Sequence, residues 1–325
     1  MPKRLVGFVL LGLIGLINAA VAQEWPTRSV TMVVPFAAGG PTDVLGRVMA
    51  QRLSEILGQQ IVVENVGGAG GMTGAQRVAQ AAPDGYQFVL GTVGTHAQNQ
   101  TLYKKPLYNA VTDFAPVALI AEVPEVLITR KDLPANTLPE FVAYAKADQD
   151  KMSFGSAGSG SATHLGCVML DIAMGTKITH VPYRGTGPAM QDLTGGRIDF
   201  LCEIVTTALP QIQGKNVKAI ATLSRTRSPV LPELPTASES GLPNLEAYTW
   251  NAFFFPRGTP DSIIRRLHDA TVEAMKTPSV RERLEGLGAT LVAEQRTTPD
   301  YLSAFVRSEI EKWAVPIRAS GVEAD

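Results

Sequence analysis

The chain has 325 residues, 29 of them basic and 30 acidic, for a formal net charge of −1. So even a balance leaves no basic face for nucleic acid, which is excluded as a partner. The length exceeds the roughly 250–300 residues that one hydrophobic core organises, so two lobes are expected.

At the N-terminus Lys3 and Arg4 precede an apolar run over residues 5–17, and Ala20-Val21-Ala22 then supplies small side chains. This is the order of a secretory signal, with cleavage expected after Ala22 and a periplasmic mature chain from Gln23. A membrane anchor is the competing reading, because the run nears the roughly 20 residues of a spanning helix. Cys167 and Cys202 would enter an oxidising compartment. They lie in apolar segments without metal-ligand spacing, and two buried thiols are preferred here over a disulfide.

Beyond Trp25, short apolar runs alternate with amphipathic stretches, the pattern of an α/β protein with mainly parallel sheets flanked by helices. Residues 29–34 read as a strand, and 42–57 as a helix whose apolar side carries Leu45, Val48, Met49 and Leu53 and whose stop is Gly58. A second strand (60–64), a helix (73–82) and a third strand (86–91) complete three strand-helix steps. Residues 117–129 are long for one strand and contain Pro124, so they are read as a crossover into a second lobe. There Thr137-Leu138-Pro139-Glu140 forms a capping box, and strands follow at 152–154, 178–181, 198–202 and 217–222. A proline-rich stretch (228–243) leads to a return strand at 247–255. Thr259-Pro260 reads as an N-cap with proline at the first helical position, opening a helix over 261–275; another helix covers 299–313. Residues 125–244 are therefore expected to form one lobe, and 23–124 with 245–325 a discontinuous other.

Ligands of open α/β sheets sit beyond the carboxyl ends of the strands, where loops enter helices. Four glycine- and hydroxyl-rich segments fall there and supply the candidate ligand-binding residues. The first contains Phe36, Ala38, Gly39, Gly40, Thr42 and Asp43; the second Thr92, Gly94, Thr95 and His96. The third contains Ser156, Gly158, Ser159, Gly160, Ser161, Thr163 and His164, and the fourth Tyr183, Arg184 and Gly185. Glycine admits close backbone approach, and N–H groups at a helix start favour an anion. Arg184 is the best single cation for a carboxylate. His180 and His268 read as structural or solvated. Gly67-Gly68-Ala69-Gly70-Gly71 lacks both dinucleotide-fingerprint spacing and an acidic residue about 20 positions on, so a tight turn or cleft wall is expected. No nucleophile elbow and no metal-ligand spacing of histidines occurs, so no catalytic residue, metal or cofactor is expected.

Taken together these segments resemble the substrate-binding receptors of tripartite tricarboxylate transporters, the Bug family. The features are Trp25-Pro26, the V-V-P-F-A-A-G-G-P-T-D run ending at Asp43, V-x-N-x-x-G-A-G-G ending at Gly71, P-D-G-Y ending at Tyr86, G-S-A-G-S-G-S-A-T-H-L ending at Leu165, H-V-P-Y-R-G ending at Gly185, L-P-E-L-P-T ending at Thr236, and Lys312-Trp313. The resemblance spans the mature chain. It implies a two-lobed, type II-like periplasmic binding-protein fold that closes like a flytrap on a small carboxylate, amide or aromatic acid. It also implies that the segment ending at Asp43 meets the ligand partly through water, while those ending at His164 and Gly185 hold a carboxylate. Where many members read D-x-x-x-D-N, this chain has Asp199-Phe200-Leu201-Cys202-Glu203-Ile204, which puts Glu203 among the candidates and leaves the ligand's far end open. The expected partner is a membrane permease of that transporter type, with a signalling receptor as alternative, and the receptor is expected to be a monomer. An exported hydrolase is the remaining alternative.

Overall fold

The computed structural model describes residues 25–324; the signal segment expected at 1–22 lies outside them. In chain order the elements are β1 (Val30–Val34), α1 (Pro41–Leu57), β2 (Ile61–Asn65), α2 (Met72–Ala79), β3 (Gln87–Thr92), α3 (Asn99–Leu102), β4 (Phe114–Arg130), α4 (Leu138–Asp148), β5 (Ser153–Ser156) and α5 (Ala162–Met174). They continue as β6 (Thr179–Pro182), α6 (Thr186–Thr194), β7 (Phe200–Ile204), α7 (Val205–Gln213), β8 (Val217–Thr222), β9 (Tyr248–Pro256), α8 (Asp261–Lys276), α9 (Pro278–Glu285), β10 (Thr290–Leu291) and α10 (Pro299–Ser320).

β1 is almost wholly buried and pairs in parallel with β2 and β3, as a run of apolar residues covered by helices on both faces requires. α1 begins with Pro41, whose missing N–H costs nothing at a helix start, and stops at Gly58 in the left-handed region (φ 68°). The sheet order is β2-β1-β3-β9-β4-β7-β5-β6, with β8 and β10 also on β4.

β4 corrects the reading of residues 117–129 as too long for one strand, since it runs unbroken for 17 residues. Up to Pro124 it pairs antiparallel with β9; from Glu125 onward it pairs with β7 and β8. Proline removes one ladder donor, and Pro124 stands where β4 exchanges partners. Three chain segments are tied together just beyond it. Glu125 N–H donates to Ala247 O (3.1 Å), Leu223 N–H to Glu125 O (2.8 Å), and Ala247 N–H to Leu223 O (2.7 Å). α10 is anchored to β9 through Glu309, which accepts from Trp250 Nε1 (3.0 Å), Trp313 Nε1 (3.2 Å) and Tyr248 Oη (3.0 Å).

Three further expectations change. Thr259 does not cap α8: its hydroxyl donates to Pro256 O (2.9 Å) and the residue before the helix is Pro260. Residues after β3 do not form a loop but a wide, π-type helical turn, Gly94–Gln98, running into α3. Cys167 and Cys202 are joined as a disulfide rather than held as two thiols, because α5 packs on β7 with their Cα atoms 5.4 Å apart.

Candidate functional site: four helix starts around an uncharged cavity

A cavity lies where the β1–α1, β5–α5, β6–α6 and β7–α7 connections meet. Each connection brings the first residues of a helix to its wall. Pro41 and Thr42 open α1 behind Gly40; Ser161 caps α5, whose first residues are Ala162 and Thr163; Thr186 is the first residue of α6; Ile204 immediately precedes α7. Phe36, Thr92, Ala157 and Thr249 complete the lining. No charged side chain belongs to it, but six hydroxyls do. First-turn N–H groups have no acceptor inside their own helix, and each helix start carries partial positive charge. Four such ends around one space offer positive potential to an anion without a formal cation.

Of the candidate residues, Phe36, Gly40, Thr42, Thr92, Ser161 and Thr163 line the cavity. Ala38, Gly39 and Glu203 line an adjoining outer hollow, together with Val44, Thr186, Thr206 and Thr207. Gly158, Ser159, Tyr183 and Arg184 line a separate surface hollow with Tyr103 and Glu323, and Arg184 is exposed there, away from the cavity. Its side chain is thus not brought to the helix starts. The remaining candidates are structural in position. Gly94, Thr95 and His96 sit in the buried turn after β3, Ser156 bonds His180 Nε2 (2.6 Å), and Gly160 N–H donates to His164 Nδ1 (3.1 Å). Asp43 opposes burial with bonds from Gly39 N–H, Arg47 and Asn65, which hold its carboxyl below the usual range.

Burial holds three of the histidines in the neutral form. His96 stacks on Phe254 (3.9 Å between ring centres), and burial lowers it to about 3. His164 stacks on His180 (4.1 Å); burial, then His180, lowers it to about 3, and burial lowers His180 to about 4. His268 bonds Asp269 (2.9 Å). Two carboxyls are also buried beside the site. Glu203 accepts from Ile204 N–H and Thr207 Oγ1 through Oε1, both at 2.9 Å, while Oε2 has no partner. Burial pushes it up to about 7. Burial, and then Glu203, hold Glu125 well above the usual range.

The two sides of the cavity meet directly. Ala37 N–H donates to Arg184 O (3.0 Å), and Tyr103 Oη to Ser159 O (2.9 Å). Glycine permits this approach: a Cβ on Gly67 would lie 2.5 Å from Arg184 O, and one on Gly70 2.1 Å from Ser159 O. The glycine run 67–71 thus packs against the Arg184 and Ser159 backbone, and none of it lines the cavity.

Sequence reasoning missed Thr249, Thr186 and the seam residue Tyr103. Thr249 had a signal, since alternation on the expected return strand sets it opposite the apolar Trp250. Thr186 lay in the fourth glycine segment but was passed over for Arg184. Nothing local marks Tyr103.

The family model described as the tripartite tricarboxylate transporter family receptor matches residues 45–322. An Agrobacterium vitis protein, described as a UPF0065 protein in the TAR-I ttuE-ttuC' intergenic region, is 42% identical over 99% of this chain and 92% of its own length. Among solved structures, the periplasmic binding protein BugD superposes with a TM-score of 0.90 at 40% identity, covering 93% of this chain and 100% of that one. MatC from Rhodopseudomonas palustris with bound malate gives 0.88 at 40% identity, covering 90% and 100%. The two-lobed periplasmic binding-protein fold is therefore that of this chain.

Proposed function

The chain belongs to the family of tripartite tricarboxylate transporter receptors, and from that premise we propose that it is a periplasmic receptor that closes on a small carboxylate and passes it, unchanged, to a membrane permease. The observation that carries this reading is the convergence of four helix starts on an uncharged, hydroxyl-lined cavity. The malate in MatC, a relative at 40% identity, supports the same ligand chemistry. The ligand carboxylate lies against the first turn of α5, between Ser161 and Thr163, with Thr42 and Thr92 facing it across the cleft.

Residues 23–124 and 245–325 form one lobe and 125–244 the other, with the tie among Glu125, Leu223 and Ala247 as the hinge. The exchange of β4 partners after Pro124 supports that division. Cleavage after Ala22 releases the mature chain. The seam from Ala37 to Arg184 and from Tyr103 to Ser159 corresponds to the closed form. Ligand favours it by binding the closed form more tightly.

Mass spectrometry of ligand released from purified protein, followed by calorimetry and small-angle scattering with that compound, tests the reading. A carboxylate that binds saturably and reduces the radius of gyration is the expected result. A released ligand without a carboxyl group, or an unchanged scattering curve at saturation, would overturn it.

A further inference from the structure

Glu203 precedes Ile204, the wall residue from which α7 starts. Its Oε1 is taken by that helix start, accepting from Ile204 N–H and Thr207 Oγ1, and its Oε2 is buried with no partner. Thr186, the first residue of α6 and part of the cavity wall, stands near enough to oppose the rise in the Glu203 pKa, and its Oγ1 is buried and unpartnered too. A carboxyl therefore sits against two of the four helix starts that face the cavity. No cation answers it. The hollow it lines holds no Lys, Arg or His, and among the described residues no Lys or Arg bonds it. Of the elements packed on it, β5 and α7 carry no charged side chain. β4 brings Glu125, buried with Oε2 unpartnered, while Glu122 and Arg130 of that strand pair with Arg296 and Asp199. α6 brings Asp192, bonded to Arg197 and Tyr183, and α5 brings His164 and Asp171, which accept from Gly160 N–H and from Ile178 N–H. α1 brings Asp43 paired with Arg47, and Arg52 paired with Glu55. Charged, Glu203 would be a buried anion without a counter-ion. It would also set a full negative charge against helix starts that carry roughly half a positive charge each.

We propose that Glu203 links capture to protonation: the carboxylate binds with Glu203 uncharged, so that wherever Glu203 is ionised beforehand a proton is taken up from solvent, and affinity falls. Two like charges held in one buried region raise each other's affinity for protons, and linkage then makes the proton and the carboxylate bind cooperatively. Protonated Glu203 still accepts from Ile204 N–H and Thr207 through Oε1, while Oε2 becomes a donor and the positive potential of the α6 and α7 starts is left to the ligand. Burial, which pushes Glu203 up to about 7, places the change between pH 6 and pH 8.5. Release returns the proton. This rests on the carboxylate reading of the cavity and adds its regulation.

Calorimetry on the full mature chain with succinate, malate, adipate and benzoate as probes tests it. The tightest binder among them should bind at least about fivefold more weakly at pH 8.5 than at pH 6, and its binding heats at pH 7.5 in HEPES and in Tris should report uptake of about 0.3 proton or more per acid. Glu203→Gln, which keeps the neutral shape, should hold its affinity within threefold over that range and take up no proton. Glu203→Asp, which keeps the acid, should keep the fall. Wild-type affinity that changes less than twofold between the two pH values, without proton uptake, would overturn the inference and leave the carboxylate reading in place. So would a wild-type pH dependence that persists in Glu203→Gln. Should that variant not fold, the wild-type proton count and the fall in Glu203→Asp decide. Binding of none of the acids would remove the carboxylate reading and the inference with it.

Discussion

Joining Cys167 to Cys202 fastens α5, whose first turn faces the cavity, to β7, whose end carries Glu203 and Ile204. Replacing both cysteines by alanine should lower stability chiefly by freeing the unfolded chain. The bridge closes a loop with a sequence separation of 35, and chain entropy for such a loop amounts to about 4 kcal/mol at 25 °C. At roughly 2.1 cal/mol/K per residue, unfolding about 300 residues carries about 0.6 kcal/mol/K, so a fall of about 6 °C is expected. Differential scanning calorimetry of wild type and the double variant measures it. Thiol titration of denatured wild type should find no free thiol before reduction and two after it. Melting temperatures within about 2 °C of each other, or two free thiols before reduction, would refute the reasoning, since the first would mean that the bridge constrains nothing and the second that it is not formed.

Other substitutions separate the parts of the site. Gly67→Ala places a Cβ 2.5 Å from Arg184 O; it should hold the cleft apart, weaken ligand binding at least tenfold and enlarge the ligand-bound radius of gyration in small-angle scattering. Arg184→Ala should change affinity by less than about threefold, because its side chain is exposed outside the cavity, whereas Thr163→Ala should cost about 0.5–1.5 kcal/mol of binding by calorimetry, the loss of one neutral hydrogen bond. Glu203 has a folded pKa raised from 4.5 to about 7, so its proton favours the folded state at low pH and that contribution is lost as pH rises through 7. Urea titrations at pH 5 and pH 8 should therefore show wild type losing about 3 kcal/mol relative to Glu203→Gln, and an equal pH dependence in the two proteins would contradict a buried, titrating Glu203.

What the sequence discloses here is local chemistry, and what it withholds is direction. Gly40-Pro41-Thr42 announces a helix start because proline placement acts locally, and that start lines the cavity, whereas Ser161, which caps α5, falls inside a segment read only as a glycine- and hydroxyl-rich loop. Arg184 sits in an equally suggestive loop, yet which way its side chain leaves the backbone depends on the opposing lobe, and Ala37 takes the inward-facing carbonyl. His96 was read into a loop because glycine and threonine flank it, but stacking on Phe254, a residue 158 positions later, draws that segment into a buried helical turn. The same limit hides the Cys167–Cys202 bridge and the register that sets Glu125 beside Ile204.

An uncharged cavity would suit a receptor that closes on its ligand and reopens, as proposed above. An arginine fixed against a bound carboxylate would leave a buried, unpaired charge in the ligand-free closed form, and breaking such a pair is costly. Helix starts supply positive potential from backbone groups that water can satisfy when the cleft opens. Thr42, Thr92, Ser161, Thr163, Thr186 and Thr249 add hydroxyls that reorient as donors or acceptors. In the proposed closing motion, the backbone seam at Ala37–Arg184 and Tyr103–Ser159 would add to the ligand's contacts.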